Sequence, residues 1–109
     1  MAEFEDFLKL DIRVGTILKA ENFHKAKKPA FKLWVDFGDE IGIKKSSAQI
    51  TEQYDTSSLI GKQVLGVVNF PPRQIADFMS EMLVLGVYTS DGVVLITPDK
   101  QTTPGSRLG

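Results

Sequence analysis

The sequence predicts an all-β protein, a small closed barrel of five strands with short capping helical turns. Three observations support this fold class. Several runs alternate apolar and polar residues with the two-residue period of a strand, no stretch carries a long helical pattern, and a glycine interrupts several of the runs. Glycine inside a strand allows the sharp bends with which a small barrel turns its corners. The expected architecture is therefore the OB-fold barrel.

The chain should open with a helical turn over Glu3 to Phe7, followed by a first strand in "LDIRVGTILKAENF". One side of this strand carries Ile12, Val14 and Leu18, and the other carries Arg13, Gly15 and Ile17. Gly15 predicts a bulge or a sharp bend within it. The glycines Gly15, Gly66 and Gly86 are all expected at barrel corners.

The stretch "FKLWVDFG" alternates most cleanly and predicts the second strand, with Leu33 and Val35 inward and Trp34 outward. "IGIKKSSAQI" should form a third strand, and "TEQYDTSSLIGK" a connection with one helical turn around Ser58 to Ile60. The runs "KQVLGVVNF", "MLVLGVYT" and "GVVLITP" predict further strands, the last two joined as a tight hairpin by "SDG". Predicted buried positions are Ile12, Val14, Leu33, Val35, Val64, Val68 and Leu83.

Size and composition bound the function. At 109 residues the chain fits a single domain over residues 1–109, with its barrel core at about 10–97, and 42% apolar with 25% charged residues is ordinary for a soluble globular protein. Without cysteine, and with His24 as the single histidine, no thiol chemistry, metal site or catalytic cluster is expected. We predict no enzyme and no cofactor. The acidic N-terminus and the lack of a long apolar run favour the cytoplasm.

The segment from Phe23 to Lys45 contains six lysines and three acidic residues, which gives it a local charge of +3. The net charge of the whole chain is −1. Such lysines either follow a polyanion backbone or keep a loop soluble. "KKSSAQI" adds hydroxyls and a carboxamide, which can donate to phosphates and base edges together. Trp34 points away from the apolar side of its strand, and the pattern leaves open whether it stacks on a base, covers a partner or packs against the N-terminal turn.

The stretch "NFPPRQIADFMSEMLVLG", Asn69 to Gly86, is long for a connection in so small a chain. We interpret it as a loop that presents Arg73 and Ser80 beside the strand carrying Lys44 to Gln49, with its prolines fixing the backbone in advance. The alternative is that Arg73 pairs with Asp77 at the surface, where such a pair contributes at most about 1 kcal/mol.

Taken together, "DIRVGTI", "KLWVDFG", "SSAQI", "LIGKQVLGVVNFPPR" and "SEMLVLGV" resemble the tRNA-binding domain family. That family includes the domain appended to methionyl-tRNA and phenylalanyl-tRNA synthetases, and free-standing dimeric tRNA-binding proteins. The resemblance runs from about Leu10 to the C-terminus. It implies tRNA as a partner, bound mainly by shape and backbone. The implied RNA-binding residues are Lys44, Lys45, Ser46, Ser47, Gln49, Asn69, Arg73 and Ser80.

The phenylalanine of "NFPPR" and the tail "TPGSRLG" are most similar to free-standing members that act as secretion-related chaperones. That resemblance implies binding of unfolded or pre-secretory polypeptides, with the secretion machinery as a further expected partner. The expected peptide contacts are Trp34, Phe70, Phe78, Met79 and Met82. The alternative is a stand-alone tRNA-binding protein that assists tRNA structure or aminoacylation without chaperone activity.

The same resemblance implies a two-fold homodimer. The expected interface lies in the two ends of the chain, at Phe4, Phe7, Leu8, Pro98, Pro104 and Leu108. The alternative is that both ends cap the barrel of their own chain.

Overall fold

A computed structural model describes all residues, 1–109. Its elements, in chain order, are α1 (Phe4–Leu8), β1 (Ile12–Asn22), β2 (Phe31–Asp36), β3 (Ile43–Ala48), α2 (Thr56–Leu59), β4 (Gln63–Val67), β5 (Arg73–Ile75), β6 (Phe78–Ser80), β7 (Leu83–Val84), β8 (Gly86–Thr89) and β9 (Gly92–Leu95). Both expected helical turns are present, each within two residues of its predicted position. No helix is long and apolar enough to cross a membrane.

Five strands form one antiparallel sheet in the order β3-β2-β1-β4-β7. The sheet curls until β3 and β7 come into contact, which nearly closes the barrel. The predicted all-β, five-stranded barrel is therefore confirmed. The run "MLVLGVYT", expected as one strand, is divided into β7 and β8, and the predicted hairpin at "SDG" joins β8 to β9.

The barrel interior is filled by inward side chains of β1, β2 and β4, among them Leu33, Val35 and Val64, all fully buried. Gly15 is needed because of this packing, since a Cβ there would lie 2.5 Å from Cγ1 of Val35 and 2.8 Å from the ring of Phe37. The glycine gives room to neighbouring side chains. Of the predicted bulge or sharp bend, the bulge is absent, because Gly15 pairs in regular register with Val64.

The bulge in β1 lies three residues later, at Leu18. Ile17 pairs with Val35 and Lys19 pairs with Trp34, so Leu18 has no partner on β2. One extra residue in a strand reverses the side to which the following side chains point. Ile17 is therefore fully buried in the barrel, Leu18 is 46% exposed, and Lys19 lies on the outside.

A second apolar cluster lies on the outer side of β1 and β4. It consists of Ile12, Val14, Leu65 and Val67, and Phe7, Leu10, Leu85 and Ile96 pack over it. Five of the seven predicted buried residues are buried, and Val68 is half-buried against the barrel core. The prediction for Leu83 is wrong, because Leu83 lies opposite Val67 on this outer side and is 46% exposed, while the preceding Met82 fills the interior.

The C-terminal segment lies along the beginning of β1, where β2 does not reach. The N–H of Gly105 donates to the carbonyl of Val14 (2.8 Å), and the N–H of Leu108 donates to the carbonyl of Ile12 (2.8 Å). The buried Gln63 holds the same segment through two hydrogen bonds with Thr102. The C-terminal segment is thus bonded to its own barrel, and Phe7 and Leu10 near the other end pack over the second apolar cluster, whereas Phe4, Leu8 and Leu108 stay exposed.

The position of the bulge leads to a prediction for the free energy of unfolding of two variants. Ile17→Ala should lower the free energy of unfolding by about 2–5 kcal/mol, because it leaves a cavity in the barrel core. Leu18→Ala should change it by no more than about 0.5 kcal/mol, because this side chain is largely in water. Urea denaturation at one fixed protein concentration measures both changes. Equal losses in the two variants would contradict the observed register.

Candidate nucleic-acid interface

The outer side of β1, β2 and β3 carries a cluster of basic side chains. Across the three strands, Lys19 lies opposite Trp34 and Trp34 opposite Lys45. Two residues along β2, Lys32 lies opposite Ser47 of β3. These five residues all point outward because directly paired side chains share a face of the sheet. We call this surface the basic face.

Two connections flank the basic face: the β1–β2 loop, residues 23–30, and the β5–β6 hairpin, residues 73–80. The predicted long loop is thus a short antiparallel hairpin, in which Arg73 lies directly opposite Ser80. The length of the connection is explained by these two extra strands. Arg73 is exposed and forms no ion pair or side-chain hydrogen bond within the chain, so its guanidinium is available to a ligand.

Three aromatic rings join the loop to the hairpin. The rings of Phe23 and Phe78 meet edge-on with centroids 5.4 Å apart, and Trp34 meets Phe78 in the same way at 5.9 Å. Ala30 and Ile75 complete this small cluster outside the barrel. Such edge-to-face pairs contribute about 0.5–1.5 kcal/mol beyond the burial of their area. Trp34 therefore packs against the hairpin and not against the N-terminal turn.

Hydrogen bonds fix the hairpin to β3. The N–H of Ser47 donates to Oγ of Ser80 (3.1 Å), and the N–H of Lys45 donates to Oε1 of Glu81 (3.0 Å). In return, the N–H of Glu81 donates to the carbonyl of Lys45 (2.7 Å). Backbone groups at the outer edge of β3 are satisfied in this way. The hairpin is thereby held along β3 through Ser80, and Arg73 lies opposite Ser80 on the neighbouring strand β5.

An ion pair bridges the loop and the hairpin, with Nζ of Lys25 2.8 Å from Oδ2 of Asp77. The hydrogen bond from Lys25 holds the pKa of the Asp77 carboxyl below its usual value, and Asp77 raises the pKa of Lys25. The pair is therefore fully charged at neutral pH, and it is lost as the pH falls through the lowered pKa of Asp77. The suggested pair of Arg73 with Asp77 is wrong, because Asp77 faces the loop.

The structure brings together four of the expected RNA-binding residues: Lys45, Ser47, Arg73 and Ser80. Gln49 comes directly after the end of β3, is exposed, and lies two residues beyond Ser47. The other three lie elsewhere. Ser46 is fully buried opposite Leu33, and Lys44 points to that same side, opposite Val35. Consecutive strand residues cannot share one face, so the two-residue period could have excluded both.

Asn69 is occupied within the chain. Its Oδ1 accepts from the N–H of Asp11 (2.9 Å), and its Nδ2 donates to the carbonyl of Lys9 (2.9 Å). Both polar groups of the carboxamide thus hold the segment between α1 and β1 against the end of β4. The structure assigns Asn69 an architectural role and removes it from the basic face.

Of the five expected peptide contacts, two are buried and three are at least partly accessible. Phe78 and Met82 are each only 5% exposed, because the aromatic cluster covers the first and the barrel interior holds the second. They offer no side-chain surface to a polypeptide. Phe70 and Met79 are exposed, and Trp34 is half-buried.

Sequence reasoning left Lys19 out of the basic face altogether. Unbroken alternation places Lys19 on the same side as Ile17, which is the barrel interior. The bulge at Leu18 moves it to the outside, and no residue type in the sequence marks that bulge. Lys32 was one of the six lysines of the basic segment, and its outward position on β2 agrees with the alternation.

The five-stranded antiparallel barrel carries its basic face on β1, β2 and β3, between the β1–β2 loop and the connection from β4 to β7 that contains the β5–β6 hairpin. This arrangement defines an OB-type domain. The comparisons agree with this class. The chain belongs to the family described as the putative tRNA-binding domain, whose sequence profile matches residues 12–107.

Two CsaA proteins are among the solved structures that cover this chain completely. The CsaA chaperone protein from Picrophilus torridus is 54% identical, with a TM-score of 0.95 over all of that chain. The chaperone CsaA from Bacillus anthracis is 51% identical, with a TM-score of 0.93 over 99% of that chain.

A curated relative, the methionine–tRNA ligase of Methanococcoides burtonii, is 42% identical over 96% of this chain. The match spans only 15% of that enzyme's length.

Proposed function

We propose that this protein binds tRNA on the basic face and is a binding protein, not an enzyme, that works in the cytoplasm. The observation that carries the proposal is the row Lys19–Trp34–Lys45 across three strands, with Arg73 held beside it by the hairpin. OB-fold barrels bind oligonucleotides on this side and between these two connections. Membership in the tRNA-binding domain family supports tRNA as the nucleic acid.

Recognition should depend on phosphates and overall shape. The basic face has three lysines, and the flanking hairpin adds Arg73. Few groups there can read base edges, namely the hydroxyl of Ser47 and, just beyond β3, the carboxamide of Gln49. Folded RNA is recognised largely through shape and backbone contacts, which a cationic surface can make without sequence information. Two carboxylates should limit affinity at physiological salt: Glu21, which lies opposite Lys32 and is ion-paired with Lys19, and Asp77, which is ion-paired with Lys25.

The first functional prediction concerns Lys45 and Arg73. The double variant Lys45→Gln, Arg73→Gln should bind tRNA more weakly, and its plot of log K against log salt should be shallower by about two, because two phosphate contacts are lost. Filter binding at four or more salt concentrations measures both quantities.

The matched control is the double variant Lys62→Gln, Lys100→Gln, which removes the same charge from exposed lysines outside the basic face. It should keep the wild-type salt slope. If the control and the test variant lose affinity to the same extent, the contribution is one of net charge alone and the assigned site is wrong.

We further propose a homodimer that forms through the apolar outer side of β1 and β4. Exposed apolar residues surround the second cluster there: Phe4, Leu8, Leu83, Val87, Val94 and Leu108. Val87 and Val94 pair with each other, and their neighbours Val93 and Leu95 pack inward, so the pair faces out. A second copy is the proposed cover, since an exposed apolar patch of this kind marks an interaction surface. Pro98 and Pro104 instead pack within their own chain.

Leu83→Glu should convert the dimer to a monomer, because a two-fold axis would bring two buried carboxylates into one apolar interface. Light scattering at micromolar concentration should report half the wild-type mass. Ile60→Glu, the same change at an exposed position beside α2, should remain dimeric. Monomeric wild-type protein, or a dimer that tolerates Leu83→Glu, would exclude this interface.

A second function, polypeptide binding as a secretion-related chaperone, is favoured by the two CsaA structures and by one local feature. Phe70 and Met79 are exposed on or next to the hairpin that carries Arg73. Methionine and aromatic side chains form adaptable contacts with varied apolar segments. We propose that unfolded or pre-secretory polypeptides contact these residues, at the edge of the RNA site.

Because both ligands would use the hairpin, tRNA should displace a bound polypeptide. Fluorescence anisotropy of a labelled unfolded peptide, titrated with the protein and then with excess tRNA, should fall to the free-peptide value. Phe70→Ser, Met79→Ser should weaken peptide binding and leave tRNA affinity within about threefold, while Ile60→Ser should change neither. A ternary complex at undiminished affinity would place the two ligands on separate surfaces.

A further inference from the structure

The three aromatic rings beside the basic face are each covered by a lysine. Nζ of Lys19 lies 4.5 Å from the ring centre of Trp34. Nζ of Lys32 lies over both Phe23 (5.0 Å) and Phe78 (5.3 Å), and Nζ of Lys45 lies over Phe78 (5.2 Å). All four distances are within the range of cation–π attraction. Three ammonium groups are thus held by a connected cluster of three rings.

Aromatic residues on an OB barrel are the usual platforms on which bases stack. Here the rings leave little room for a base. Phe23 is 4% exposed and Phe78 is 5% exposed, so neither offers an open face. Trp34 is half-buried, its ring and the ring of Phe78 meet at 75°, and the ammonium of Lys19 lies over it.

We propose that these rings are positioning residues for lysines and that the basic face binds a bare chain of phosphates, independently of bases. A lysine side chain that is already ordered loses less conformational entropy when it contacts a ligand. The rings hold Lys19, Lys32 and Lys45 in fixed places across three strands, and Glu21 restrains Lys19 further at 3.2 Å. The ligand class is a flexible polyanion with closely spaced phosphates, either the backbone of an RNA or an inorganic polyphosphate.

This inference rests on the proposed RNA binding but can fail separately from it. The test compares three probes at several salt concentrations: a labelled 20-nucleotide RNA, an abasic ribose-phosphate chain of equal length, and inorganic polyphosphate as competitor. We expect the RNA and the abasic chain to bind within about fivefold of each other with equal salt slopes, and polyphosphate to displace both. Stacking contributes at least about fivefold per base, so a larger preference for RNA would overturn the proposal.

Two further readouts separate positioning from stacking. Trp34 is the single tryptophan, so its fluorescence reports directly on a base placed against it. RNA and the abasic chain should change this fluorescence equally, and quenching by RNA alone would overturn the proposal. Lys19→Gln should weaken the binding of both probes to the same extent, and both plots of log K against log salt should become shallower by about 0.7. If uncovering Trp34 instead raised the preference for RNA over the abasic chain, the ring would be a stacking platform.

The control is Lys100→Gln, which removes a lysine of the C-terminal segment and should leave both probes unchanged. Phosphate chains that bind without bases support both this inference and the proposed function. If the RNA binds and the abasic chain does not, the proposed function stands and this inference is wrong. If neither probe binds at low salt while tRNA does, this inference is wrong and the proposed function stands. If tRNA also fails to bind, both are wrong.

Discussion

Strand β2 is the element on which the barrel core and the basic face both depend. Its inward side chains Leu33 and Val35 are fully buried, while Lys32 and Trp34 form the middle of the outer surface. Successive side chains of a strand must point to opposite sides, so a slip of one residue would bury the lysine and expose the leucine. Pairing with β1 on one edge and β3 on the other prevents that slip. The same strand pairing therefore fixes both the packing of the core and the outward positions of Lys32 and Trp34.

The two connections that flank the basic face are held in place by packing over the outer surface of β2. The β1–β2 loop and the β5–β6 hairpin lie outside the barrel, and the contact of Phe23 with Phe78 packs them together over Trp34. The ion pair of Lys25 with Asp77 adds little to stability, since water screens it at the surface. Apolar packing therefore fixes where the hairpin lies, and hydrogen bonds donated by the N–H groups of Ser47 and Lys45 on β3 to Ser80 and Glu81 fix its register.

Although the net charge of the chain is only −1, one of its surfaces is strongly basic and another is apolar. Lysines gather on the outer side of β1, β2 and β3, whereas the outer side of β1 and β4 is apolar and only partly covered by the chain itself. Strand β1 belongs to both, and the bulge at Leu18 separates its apolar half, with Ile12 and Val14, from its half that carries Lys19. A polyanion and a second copy of the chain could thus be bound on different surfaces, without competing for the same residues.

The sequence by itself determined the strand class, most of the buried residues and the gathering of lysines between Phe23 and Lys45, because these follow from the two-residue period and from local composition. It also placed Ser80 beside the strand that carries Lys45 and Ser47. Only the tertiary structure decided that Lys19 points outward and that Asn69 holds the segment between α1 and β1. These outcomes depend on a bulge and on contacts between residues distant in the chain, such as Asn69 with Lys9 and Asp11. Local pattern carries no information on such pairings, because the partners are brought together only when the barrel closes.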